Sequence, residues 1–190
     1  MPPRARGWSD ILDFVRFVLF VVSIPPVNVT IRHLFISPGH NFFGRHGLGA
    51  AENPTVEVKA IMCRAGHGVE GDRFFDYKEN YPGQITFFSW DIVEAARNKF
   101  AVPALSPGAF RRNVVIAGVD ITKLIGRRFT LGGVEFEGTV ESKPCYWMEQ
   151  AVAPGAEEWL RGNGGLRARI LSDGPLAVGA TSLVVAEPVA

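Results

Sequence analysis

Val134-Glu135-Phe136-Glu137-Gly138-Thr139-Val140-Glu141-Ser142 runs directly into Lys143-Pro144-Cys145-Tyr146-Trp147-Met148-Glu149. In the first stretch Val134, Phe136, Gly138 and Val140 alternate with Glu135, Glu137, Thr139 and Glu141, the two-residue period of a strand. The second sets one cysteine after a proline, at the junction with a predicted helix. A thiol at a helix N-terminus feels the positive end of the helix dipole, which favours the thiolate. Thiolate is the form that attacks electrophiles or ligates a soft metal. The competing reading of Cys145 is a buried cysteine serving as a small apolar residue.

Working outward, strands are predicted at 27–36, 56–63, 84–88, 113–117, 128–131, 134–142, 166–171 and 177–185. Gly132-Gly133 joins two of them as a hairpin, and Ser172-Asp173-Gly174-Pro175 reads as the last turn. Helices are expected at 91–100, where Asp91 and Glu94 have capping-box spacing and Ser89 is the rival cap, and at 154–160. Many short strands with few helices predict a mainly β, barrel-like domain.

At 190 residues, 47% of them hydrophobic, the chain can bury one full core. A net charge of +1 gives no general pull toward nucleic acid, so any anion site must be a local cluster. Cys63 and Cys145 form no C-x-x-C pair, and with four scattered histidines zinc spacing is absent. So few cysteines suit a reducing, cytoplasmic setting. Cys63 lies in an apolar strand and reads as core.

Residues 1–26 differ from the rest. Arg4 and Arg6 precede a largely apolar stretch, 11–24, closed by Pro25-Pro26. Asp10, Asp13 and Arg16 sit three apart and lay a polar stripe on one helical face. The apolar run 17–22 is too short to span a bilayer, and no small-residue cleavage site follows it. The favoured reading is an added helix packed on the body or on a partner subunit. Membrane association and a signal are the alternatives.

The order of motifs from 68 onward is informative as a set. Gly68-Val69-Glu70-Gly71-Asp72-Arg73 is followed by Gly83-Gln84-Ile85-Thr86, then by Pro107-Gly108-Ala109-Phe110-Arg111-Arg112-Asn113-Val114. After these come Gly118-Val119-Asp120, Leu124-Ile125-Gly126, Lys143-Pro144-Cys145 and Gly165-Leu166-Arg167-Ala168-Arg169-Ile170-Leu171. In this order, over residues 27–185, the chain resembles a stand-alone MOSC domain, the module at the C-terminus of molybdenum cofactor sulfurases. It is similar also to the catalytic half of the mitochondrial amidoxime-reducing component.

The resemblance implies a β-barrel-rich fold over 27–190, binding a molybdenum cofactor of the molybdopterin type. It implies that Cys145 is the molybdenum ligand or a sulfur acceptor. The chemistry agrees, because a pterin dithiolene plus one protein thiolate makes a soft donor set. The cofactor's phosphate calls for arginine, and the candidates are Arg73, Arg111 and Arg112, with Asn113 and Lys143 beside them. Asp72 either orients Arg73 or pins its turn. Alternation sends one of Arg111 and Arg112 inward and the other outward.

His67, next to the Gly-Asp-Arg motif, is a candidate proton donor, with a local hydrogen-bonding role as the competing reading. The loop His40-Asn41-Phe42-Phe43-Gly44-Arg45-His46-Gly47 is a candidate substrate-facing element. Phe87, Phe88, Trp90, Tyr146 and Trp147 are candidates to stack on a planar ring, against core packing.

The chain departs from the family pattern at Phe74, where His is common, and at Gly179-Ala180, where Gly-Asp is common. A Schiff-base lysine for pyridoxal phosphate belongs to the aminotransferase-like domain of the sulfurases, and no such site is expected here. Two functions follow from the resemblance. One is a reductase of small N-hydroxylated substrates, fed by a separate electron-donor protein because no flavin, haem or iron–sulfur motif is present. The other is a persulfide or cofactor carrier. A cysteine hydrolase is a weaker third, since no motif orders a nucleophile, base and orienter.

Overall fold

The computed structural model describes residues 25–41, 45, 49 and 51–188. The expected helix at 11–24 lies outside the described residues, as do Phe42, Phe43, Gly44, His46 and Gly47 of the histidine loop. Among the described residues no helix is long and apolar enough to cross a membrane.

Among the described residues there are eleven strands and three short α-helices. The strands are β1 (Val27–Ile36), β2 (Val56–Val58), β3 (Ala60–Arg64), β4 (Gly68–Val69), β5 (Ile85–Ser89), β6 (Val114–Ala117), β7 (Arg127–Leu131), β8 (Val134–Glu141), β9 (Leu166–Ile170), β10 (Gly174–Ala177) and β11 (Gly179–Pro188). The helices are α1 (Trp90–Lys99), α2 (Trp147–Ala151) and α3 (Ala156–Trp159). Strands β1, β11, β7, β8, β9, β5 and β6 pair in that order and return to β1, closing a seven-stranded barrel. All its pairings are antiparallel except β5 with β6, which are parallel and joined through α1. A parallel pair needs such a crossover because no tight turn can connect it. The mainly β, barrel-type architecture is as expected.

Alternation fills the barrel. Val29, Ile31 and Leu34 of β1, Ile85 and Phe87 of β5, Phe136 of β8 and Leu166, Ala168 and Ile170 of β9 form one buried cluster. Phe87, Phe129 and Phe136 pack ring against ring at 5.4–5.6 Å within it. The opposite faces of β1, β5 and β6 carry Phe35, Phe88 and Val115 into a second cluster. There they meet Val93 and Ala96 of α1, Met148 of α2 and Ala156 of α3.

Four readings of the sequence are corrected. The run 56–63 is two strands, of which β2 joins the barrel sheet and β3 pairs with β10 in a separate three-stranded sheet. The run 177–185 divides at Val178 in the same way, and the Val178 amide donates to the Lys59 carbonyl at 3.0 Å. Both chains change sheets at one crossing, and extended residues on either side hide the switch from local pattern. Gly174 and Pro175 belong to β10 rather than to a turn; β10 is an edge strand, where a residue without an N–H is tolerated. The alternation of β8 does not run to its end: a register shift against β9 between Gly138 and Val140 turns Val140 outward, leaving it 48% exposed. A bulge of this kind re-aims every later side chain of the strand.

A buried polar knot ties β1, β5 and β6 together. The Asn113 side-chain oxygen accepts from the Thr86 amide (3.0 Å) and hydroxyl (2.8 Å), and its Nδ2 donates to the Phe35 carbonyl and to Asp72 Oδ2, both at 3.2 Å. Asp72 also accepts from the amides of Ser37 and Phe74 at 3.1 Å. Asn113 thus spends its whole amide inside the fold.

Two stability outcomes follow. Asn113→Ala strips partners from a buried carboxylate, carbonyl and amide, and should cost about 3 kcal/mol of unfolding free energy. Gly138→Ala drives a Cβ into the Leu124 carbonyl, within the turn Ile121–Leu124 that covers this strand, and should cost about 2 kcal/mol. Urea titration reads both as a lower midpoint with an unchanged m-value.

Candidate active-site cleft around Cys145

Beyond β8 the chain is held rather than free. The Ser142 amide donates to the Gly165 carbonyl at 2.7 Å, and the Gly164 amide to Glu141 Oε1 at 3.1 Å. Gly164 has no room for a side chain, since a Cβ would stand 2.6 Å from both Pro144 Cδ and the Ser142 carbonyl oxygen. Glycine is therefore required where these backbones meet. Pro144 then delivers Cys145, which is exposed, and its carbonyl accepts from the Met148 amide at 2.8 Å to open α2. At five residues α2 is a single turn, so the expected helix field at Cys145 is small.

Positive charge comes instead from arginine. The turn Pro107–Phe110 is capped by Ser106, whose hydroxyl accepts from the Gly108 amide, and it ends at Arg111 with φ 54°. This left-handed residue breaks the alternation predicted for the pair, and both Arg111 and Arg112 line the same cleft. Arg73 enters from the Gly-Asp-Arg turn. Its amide donates to the Ser37 carbonyl at 2.8 Å, its guanidinium stands 3.4 Å from Asp72, and it lies 4.8 Å over the Phe74 ring. The cleft of about 290 Å³ also takes in His40, Asn41, Cys145 and Trp147.

Burial lowers the pKa of all three guanidinium groups. Arg111 is pushed down to about 10, first by desolvation and then by the charge of Arg73, with Asp72 and Cys145 opposing. Arg112 is also pushed down to about 10, by desolvation, with Cys145 the largest opposing influence. Arg73 is lowered chiefly by desolvation. At neutral pH all three keep their charge, so the cleft concentrates cations that an anion would relieve. Desolvation, followed by Arg73, lowers the pKa of His40, which keeps its imidazole neutral at pH 7.

The remaining candidates stand elsewhere. His67 sits exposed on the turn between β3 and β4, its Nδ1 2.5 Å from Asp76, and does not line the cleft. Lys143 is exposed and also outside the lining. Asn113 is the structural pin described above, and Asp72 anchors the Arg73 turn from a buried position. Phe87 and Phe88 are core, and Trp90 lies on α1 between Arg32 and Arg97. Of the aromatic candidates Trp147 lines the cleft, with its indole N–H donating to the Ala109 carbonyl at 3.2 Å. Cys63 is fully buried, and desolvation pushes its thiol up to about 12. Among the described residues no cluster of His, Cys, Asp and Glu could hold a metal ion by itself.

Sequence reasoning did not single out Gly164 or Ser37, and it met Thr86 only as the end of the Gly83-Gln84-Ile85-Thr86 motif, with no role assigned; these residues hold the cleft's walls. Gly164 carried a visible signal in the turn Asn163-Gly164-Gly165, whereas Ser37 and Thr86 act through partners distant in the chain.

Comparison with known proteins places this geometry. No curated protein matches the chain. Solved structures of the same fold include the YUAD protein from Bacillus subtilis, with 18% identity and a TM-score of 0.67, covering 86% of this chain and 98% of that one. YiiM from Geobacillus stearothermophilus superposes with a TM-score of 0.61 at 16% identity, covering 84% of this chain and 75% of that one. YiiM from Escherichia coli does so with 0.60 at 14%, covering 88% and 72%. At these identities the likeness is one of fold. The MOSC domain profile matches residues 80–181, which contain Arg111, Arg112 and Cys145 and make up more than half of the chain. The chain belongs to the MOSC domain family.

Proposed function

We propose that the protein binds a molybdenum cofactor of the molybdopterin type in the Cys145 cleft and reduces small N-hydroxylated compounds there. The observation that carries this reading is one exposed thiol in a cleft lined by Arg73, Arg111 and Arg112. MOSC domains are associated with molybdenum-cofactor binding, and the residues present fit such a group. Cys145 would supply the protein thiolate of a soft donor set, and the guanidinium groups would offset the charge of an anionic cofactor. Bound there, the cofactor would supply a metal centre able to accept an oxygen atom from an N–O bond. Trp147 would form part of the wall for a planar substrate. His40, neutral at pH 7, would act as a hydrogen-bond partner within the cleft. Electrons would come from a separate donor protein, and the reducing setting this needs suits a cytoplasmic location.

The exposure of Cys145 also suits a sulfur carrier, whose thiol must be reached by a partner. The two readings differ in stoichiometry. A reductase supplied with an electron donor should turn over benzamidoxime many times per chain, whereas a carrier should release one sulfur per Cys145 and stop.

Cys145→Ser should lower molybdenum and pterin content and cut turnover at least a hundredfold, while Cys63→Ala should keep both. Elemental and pterin assays on purified protein, with a turnover count, check this. Full cofactor retention and turnover in Cys145→Ser would refute the assignment.

Iodoacetamide should modify one thiol per chain in the native protein and two after unfolding, because Cys63 is sealed in the core. Peptide mass analysis should place the native adduct on Cys145.

A further inference from the structure

Arg112 does not spend its guanidinium as an anion ligand would. Its Nε donates to the Gly164 carbonyl at 2.9 Å, one Nη to the Phe110 carbonyl at 2.8 Å, and the other to the Ser142 carbonyl at 2.7 Å. The three acceptors lie on separate segments: the turn before β6, the exit of β8, and the glycine turn before β9. One planar fork therefore joins all three at the base of the cleft. Ser142 stands three residues before Cys145, and Gly164 is the residue against which Pro144 is packed. On the far side, a Cβ on Gly165 would stand 3.2 Å from Arg112 Nε and 2.5 Å from the Phe87 carbonyl oxygen, so the strand wall closes on the fork.

We infer that Arg112 is a positioning residue that fixes the segment carrying Cys145. Arg111 is held by longer contacts, 3.2–3.3 Å to the Ser37 and Thr55 hydroxyls and the Gly39 carbonyl, and Arg73 stands 3.4 Å from Asp72. The recognition of an anion in the cleft therefore falls more to these two than to Arg112. A guanidinium can satisfy three divergent carbonyls at once because its donors are fixed in one plane. A lysine ammonium carries the same charge but cannot span them. Charge and geometry can thus be separated by a single substitution. The inference rests on Cys145 being the reacting residue, as proposed above, but its test reads the backbone of the full chain without any cofactor.

The experiment is amide hydrogen exchange on Arg112→Lys. Protection at Ser142, whose amide donates to Gly165, and at Met148, whose amide donates to Cys145, should fall at least tenfold. Protection at Phe129 and Phe136 in the barrel should change less than twofold. In cofactor-loaded protein, turnover should fall at least tenfold, because charge alone does not rescue the fork. Unchanged protection at Ser142 and Met148 would overturn the inference, and loss of pterin with protection intact would make Arg112 an anion ligand instead. Gly164→Ala provides the second variant should Arg112→Lys fail to fold. It wedges the same segment from the other side with Arg112 intact, and should loosen the same two amides while sparing the barrel. Failure to do so would equally overturn the clamp. Because exchange is read on the apoprotein, a protein that proved to be a carrier would leave this result standing.

Discussion

The Asp72 carboxylate and Asn113 amide form the constraint on which the site depends. A carboxylate taken out of water is costly unless its lone pairs are filled, and Asp72 is filled by the amides of Ser37 and Phe74 and by Nδ2 of Asn113. Asn113 in turn closes the seam between β5 and β6 through Thr86. That seam is the barrel's one parallel pairing, whose ladder is slightly weaker than an antiparallel one. The knot thus reinforces the barrel where its backbone pairing is least favourable. It also sets the three cleft arginines: Arg73 follows Asp72 directly, and Arg111 and Arg112 immediately precede Asn113. Pinning the knot pins the direction from which their side chains enter the cleft.

Much of this fold was legible because strand alternation is a local signal. Val134, Phe136, Leu166, Ala168 and Ile170 fall on the barrel's inner face as their spacing requires. What stayed hidden involves partners remote in sequence. Nothing in 56–63 says that Val56–Val58 pairs with β1 while Ala60–Arg64 pairs with β10, since both halves are extended and apolar. The bulge after Gly138 is equally silent locally. It answers to the Leu124 carbonyl, which occupies the space a side chain would need.

The site was legible to a different degree. Cys145 was visible from the proline junction and the order of motifs, and the structure sets it in a cleft with three arginines. The neighbouring histidine was harder to find. His67 adjoins the Gly-Asp-Arg motif in sequence, yet the hairpin between β3 and β4 carries it onto Asp76 at the surface. His40 is far from the motif in sequence but packs edge-on against Phe74 at 4.9 Å, inside the cleft. Adjacency in sequence misleads where a tight turn intervenes. Arg111 misled for a related reason, because a residue at φ 54° cannot obey strand alternation.

The two cysteines show how far placement, rather than residue type, decides chemistry. Cys63 sits mid-strand facing the core, where desolvation penalises the charged sulfur and raises its pKa to about 12. A thiol in that state neither attacks nor ligates at neutral pH. Cys145 stands outside the barrel on a segment fixed at Ser142, Pro144 and Gly164, with the charged groups of Arg111 and Arg112 in electrostatic reach. A protein with a net charge of only +1 offers an anion little long-range attraction, so recognition must be local. Local charge of one sign is costly to assemble in a half-buried cleft, as the lowered pKa values of these arginines show. The fold bears that cost by anchoring Arg112 on backbone carbonyls and Arg73 on Asp72, so the cations are in place before any anion arrives. Such preorganisation spares a bound anion the work of gathering its own counter-charges.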